Sequence, residues 1–130
     1  HFLQPLLCWR MWIALSAVNL ALAVMLGAFG AHGLKSRATE AQLVWWQTAT
    51  DYFFYHALGF LALAILAKVL PHFPIKISFI LIQIGIFFFC GSLYMMALGM
   101  PKVLGAITPI GGALMIAGWL ALAWNALKYG

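Results

Sequence analysis

Four long apolar stretches alternate with short polar interruptions along the chain. The first runs from Met11 to Leu34, with Trp9 and Arg10 before it and Lys35 and Arg37 after it. At about 1.5 Å per residue, about 22 residues cross a hydrocarbon core of roughly 30 Å, so a membrane helix is predicted over 11–34. The stretch is longer than the apolar part of a secretory signal, about 7–15 residues, and reads as a retained helix. The second stretch, Tyr52 to Ala67, is too short to cross alone. Thr39 and Gln42 have capping-box spacing and would start its helix near Glu40. Trp45 and Trp46 then suit an interfacial belt, and Lys68, Pro71 and Pro74 end a span over 40–68.

The third span covers 77–100, closed by Pro101 and Lys102. Within it Ser78, Gly85, Ser92 and Gly99 recur every seven residues, a stripe of small side chains on one face. Lipid supplies no hydrophobic drive between helices, so close approach along small residues is a leading source of association. The stripe is therefore expected against a neighbouring helix. Pro109 would break a fourth helix begun at Lys102; Thr108 as N-cap with Pro109 in the first helical position gives a span over 108–127. Val103 to Ile107 becomes a loosely turned approach, and Gly111 and Gly118 repeat the seven-residue spacing. Four helices with short connections predict an all-α integral membrane protein, a single transmembrane domain over 1–130 folded as an up-down bundle.

Composition strengthens that reading. Hydrophobic residues make up 66 % of the chain, charged residues only 7 %, and mean hydropathy is +1.04. A water-soluble domain carries roughly 25 % charged residues. A soluble enzyme, a disordered tail and a cytosolic nucleic-acid binder are excluded. The net charge of +5 is no nucleic-acid signal, because Arg10, Lys35, Arg37, Lys68, Lys76, Lys102 and Lys128 stand at segment ends and form no run that could track phosphates. They suit membrane lipids as partners. With four spans, Arg10, Lys68, Lys76 and Lys128 share one side and Lys35, Arg37 and Lys102 the other. That slight excess leans towards cytoplasmic termini. Cys8 and Cys90 form no metal-ligand spacing and should lie at different depths, against a disulfide.

The unusual polar residues gather at one end. His32, Asp51, Tyr52, Tyr55, His56, Ser92, Tyr94 and Thr108 all fall towards the same membrane face of an up-down bundle. The other half of each span is plain apart from Ser16, Asn19, Gln83 and Asn125. An ionisable residue inside a span costs several kcal/mol, so it needs a partner or a function. Asp51, Tyr52, His56 and His32 are therefore expected in one hydrogen-bonded cluster. Two readings stand open: a polar clamp between helix ends, or a pocket handling a proton, lipid, quinone or small solute around His56. A haem or metal between His32 and His56 lacks a third ligand at usual spacing, so no metal and no cofactor is expected. The glycines of GAFGAHG (27–33) end a membrane helix with no strand before them. They read as close packing by Gly27 and Gly30, not as a dinucleotide fingerprint. Ser92 has no neighbouring base in sequence, and no nucleophile–base pair emerges, so an enzyme is not expected.

Taken together, GAFGAHG at 27–33, YFFYH at 52–56, FCGSLY at 89–94 and ITPIGG at 107–112 resemble a bacterial inner-membrane family, domain of unknown function 423, related to animal transmembrane protein 256. The resemblance covers about residues 12–127 and implies four helices without an assigned activity. Its pattern falls on Gly27, Gly30, His32, Tyr52, His56, Gly91, Ser92, Tyr94, Thr108, Pro109, Gly111 and Gly112, adding Gly91 and Gly112 to the glycines expected to pack. Cys90 stands where the family has serine, and residues 1–10 match nothing in it. The expectation that follows is a helix-packing accessory or scaffold protein of the inner membrane, acting as a homo-oligomer or with other inner-membrane proteins. A small transporter or ligand-binding protein is the competing reading.

Overall fold

Thr39 opens the longest helix through a reciprocal cap. Its hydroxyl accepts from the Gln42 backbone N–H at 3.2 Å, and the Gln42 side chain accepts from the Thr39 N–H at 2.8 Å. Two of the helix's orphan donors are satisfied this way, and the helix begins at Glu40 as the spacing predicts. The computed structural model describes residues 9–129, so the expectation for Cys8 lies outside the described residues. In chain order the elements are α1 (Trp9–Phe29), a π turn (Gly30–Leu34), α2 (Glu40–Val69), α3 (Lys76–Ala97), a 3-10 turn (Lys102–Ala106) and α4 (Thr108–Tyr129). Among the described residues, four helical segments are long and apolar enough to cross a membrane. The fold is all-α and runs up and down.

Two boundaries differ from expectation. First, α3 stops at Ala97, and Gly99 leaves the stripe for the loop, at φ 100°. The Met100 N–H bonds to the Met95 carbonyl and the Gly99 N–H to the Met96 carbonyl. That is a Schellman closure, with glycine in the left-handed position and Pro101 just beyond. Second, Thr108 does not cap α4. The Gly111 N–H bonds to the Ile107 carbonyl at 3.2 Å, so Ile107 is the N-cap and Pro109 the second helical residue, still inside the first turn, where a missing N–H costs nothing. The 3-10 turn already holds Ile107 in a helical conformation, which leads the chain into α4 one residue early.

Backbones approach closely between α1 and α2, between α2 and α3, and between α3 and α4; among the described residues α1 and α4 do not approach. The bundle is therefore open along one side. Helix α3 lies deepest, and Phe53, Phe60, Phe79, Ile82 and Met115 fill the interior. The Phe60 and Phe79 rings stack with centroids 4.2 Å apart, an offset contact worth about 0.5–1.5 kcal/mol beyond the area it buries.

The small-residue stripe sets the tightest seam. Ser78, Gly85 and Ser92 are buried and all meet α4. A Cβ on Gly118 would fall 3.0 Å from the Ser78 carbonyl, and one on Gly85 would fall 2.7 Å from Met115 Cγ. A Cβ on Gly112 would make only ordinary contact with the Phe89 ring, at 3.7 Å. Gly91 is a correction: a Cβ there would meet nothing within 4 Å. Its place in α3 turns it away from both seams, so it is not a packing glycine among the described residues.

Candidate functional site

The buried side of α2 is Trp46, Ala49, Thr50, Phe53, Ala57, Phe60, Leu63 and Ala64. These positions recur at helical spacing and define the inward stripe. Each step along a helix turns the side chain by about 100°, which puts Asp51 and Tyr55 on the face opposite that stripe and Tyr52 and His56 at one edge of it. Tyr52 is 41 % exposed and Tyr55 63 %. The expected cluster of His32, Asp51, Tyr52 and His56 does not form. Asp51 accepts from Gln47 Nε2 at 2.7 Å, and His56 Nδ1 bonds the Tyr52 carbonyl at 2.8 Å. Both bonds stay within α2, where neighbours four apart share a face. His32 is exposed on the π turn. The helix phase, not a shortage of polar groups, separates them.

Other residues hold the same end of the bundle together. Trp46, expected in the interfacial belt, is 4 % exposed. Its Nε1–H donates to the Leu26 carbonyl of α1 at 2.7 Å, and its ring lies against Gly30, where any Cβ would clash. That contact sits where α1 passes into its π turn, a place where an inserted side chain commonly disturbs the regular ladder. Thr50 Oγ1 and the Tyr94 hydroxyl bond at 2.9 Å between α2 and α3, and the Trp46 and Tyr94 rings lie 4.4 Å apart. The Cys90 thiol donates to the Ala49 carbonyl at 3.2 Å, so cysteine here takes up a donor role that serine would also fill. The hydroxyls of Ser92 and Thr108 bond to each other across α3 and α4. Gly27 packs against Thr50, with a Cβ position 3.4 Å from Cγ2.

A second polar link lies in the half that the sequence marks as plain. Asn19 Nδ2 donates to Gln83 Oε1 at 3.0 Å, and Gln83 Nε2 donates back to Asn19 Oδ1 at 3.2 Å. Asn19 Nδ2 also reaches the Leu15 carbonyl at 2.8 Å. The pair ties α1 to α3, helices whose backbones do not approach.

Tyr52 and His56 face aromatic rings. Tyr52 lies 4.9 Å from the Phe89 ring and His56 5.9 Å from the Trp119 ring. Cavities of about 760, 250 and 660 Å³ are present, and none is lined by any of the eight polar residues singled out from the sequence. Among the described residues no group of three or more His, Cys, Asp or Glu side chains is placed to hold a metal ion. What this arrangement can do chemically is fix helix rotation: the Trp46–Leu26, Thr50–Tyr94, Cys90–Ala49, Ser92–Thr108 and Asn19–Gln83 bonds each join two helices in a medium that offers no competing water.

Residues 26–112 match the family described as a protein of unknown function (DUF423). The chain belongs to this family. A UPF0382 membrane protein of Staphylococcus saprophyticus is 44 % identical over 121 residues, covering 92 % of this chain and 98 % of the relative. One from Staphylococcus epidermidis is 43 % identical over 120 residues, with the same coverage. The UPF0382 membrane protein YwdK of Bacillus subtilis is 41 % identical over 121 residues, again covering 92 % and 98 %. No solved structure matches the chain. The DUF423 match spans the polar links from Trp46 to Thr108 and includes Gln83 but not Asn19, so the amide pair straddles its boundary.

Proposed function

We propose that this DUF423 protein works in the bacterial inner membrane by association, as a helix-packing accessory or scaffold subunit, either with itself or within a larger membrane complex. Its termini lie on the cytoplasmic side in this reading, and it carries no catalytic centre. The observation that carries the reading is the outward face of α1. Ala14, Ala17, Ala21 and Ala28 are all exposed there, within an arc of roughly 60° at about 100° per residue. The inward face of the same helix holds Ser16, Asn19 and Ala23. Small residues let a second helix come close, the main route to association in lipid. On α3 the comparable stripe is already covered by α4, whereas α4 does not reach α1 to cover this one.

A photo-crosslinking amino acid at position 21, in living cells, tests the proposal. Position 65, where Ile65 is 51 % exposed on α2, is the lipid-facing comparison. Adducts of one discrete mass from position 21 and none from position 65 are expected. The same diffuse products from both positions, or none from either, would overturn it.

A further inference from the structure

We infer that the cavity between the start of α1 and the α2–α3 connection binds the phosphate-bearing headgroup of an anionic membrane lipid. The cavity measures about 760 Å³ and is lined by Lys68, His72 and Lys76 together with Trp9, Trp12 and Phe73. Among the described residues no acidic side chain stands near that charge. The sequence holds two acidic side chains, Glu40 and Asp51, and both stand in the opposite half of α2. Lys68 is 17 residues beyond Asp51, roughly 25 Å along the helix, far outside the reach of an ion pair. Two cations nevertheless share one indole here: Lys68 Nζ lies 4.1 Å from the Trp9 ring centroid and the Arg10 guanidinium 5.6 Å.

A further positive element borders the same space. Pro74, Ile75 and Lys76 line the cavity and lead into α3, whose N-cap residue Ile75 makes no side-chain cap. An uncapped helix start presents free N–H groups and roughly half a positive charge. Two lysines, a histidine and this helix end thus converge at the end of the spans, where a lipid phosphate resides. Trp9, Trp12 and Phe73 give the wall on which the glycerol and upper acyl carbons would lie. Basic pockets between membrane helices take anionic headgroups on these terms. A free phosphate ion would use the charges but not the aromatic wall, which is why the lipid is the occupant.

The test uses the full chain purified in mild detergent, with thermal unfolding followed after adding phosphatidylglycerol, phosphatidylcholine or inorganic phosphate. Phosphatidylglycerol is expected to raise the melting temperature by about 5 °C, with the other two leaving it unchanged. Lys68→Gln with Lys76→Gln should abolish the rise, while Lys102→Gln, on the opposite membrane face, should keep it. Native mass spectrometry should show phosphatidylglycerol retained by the parent and lost from the double variant, a readout that does not depend on the variant's own stability. Equal protection by phosphatidylcholine, or protection that survives the double substitution, would overturn the site. Equal protection by inorganic phosphate would overturn the lipid as its occupant.

Discussion

Gly85 and Gly111 each occupy the space in which the other's Cβ would stand. A Cβ on Gly85 would lie 2.8 Å from the Gly111 carbonyl oxygen, and one on Gly111 would lie 2.6 Å from the Gly85 carbonyl oxygen. Both obstacles are backbone, so neither can swing aside. The α3–α4 seam is set by these two missing side chains, with Ser78 and Gly118 at one end of it and Ser92 and Thr108 at the other.

Gly111→Ala is therefore expected to lower stability by about 1–3 kcal/mol through overpacking. Gly91→Ala should do the reverse. Nothing stands within 4 Å of its Cβ position, and alanine is favoured over glycine inside a helix by roughly 0.5–1 kcal/mol. Thermal unfolding of both variants in detergent checks the opposite signs.

The Asn19–Gln83 pair makes a prediction about coupling. Asn19→Leu alone strands the Gln83 amide, and Gln83→Leu alone strands the Asn19 Oδ1, while Asn19 Nδ2 keeps the Leu15 carbonyl. Each single change should cost about 1–2 kcal/mol. Both together leave no orphaned group, so the double variant should be less damaged than the sum of the singles. A double-mutant cycle with purely additive losses would mean that the two amides do not exchange bonds.

His56 and Tyr94 exchange the importance the sequence assigns them. His56→Gln removes a ring bonded only to its own helix's backbone and should change stability by less than about 0.5 kcal/mol. Tyr94→Phe removes the hydroxyl that meets Thr50 across two helices and should cost about 1 kcal/mol. A larger loss for His56→Gln than for Tyr94→Phe would reverse the assignment of the clamp.

Trp46→Phe keeps a ring against Gly30 but deletes the indole N–H that bonds Leu26. A loss of about 1–2 kcal/mol is expected, because the Leu26 carbonyl is left without that donor in a dry setting. Trp45→Phe, one step round the helix on a half-buried ring that packs on the core, should cost less.

The four spans were legible because hydropathy and length decide them almost alone, and Thr39 with Gln42 carries its cap in plain sequence. The heptad of Ser78, Gly85 and Ser92 also read correctly as a seam. Gly99 did not, since the same spacing continues past the point where Gly99 and Pro101 end the helix. The polar site was the least legible part. Asp51, Tyr52 and His56 attract notice by chemical type, but Ala49, Phe53, Ala57 and Phe60 fix which way α2 faces, and that phase selects Trp46 and Thr50 instead. Asn19 and Gln83 each stood out in an apolar run; that they meet depends on two helices that are not sequence neighbours, which no local pattern encodes. The alanines of α1 look like ordinary membrane filler until the absence of α4 from their side is known.

Association through α1 is tested most directly by native mass spectrometry of the protein ejected from its own membrane vesicles without prior detergent exchange. A species heavier than one 14.3 kDa chain is expected, held by protein as well as lipid and reduced to the single chain by Ala21→Leu, with helical content unchanged. A lone chain carrying only lipid before any substitution, or an assembly indifferent to Ala21→Leu, would contradict it.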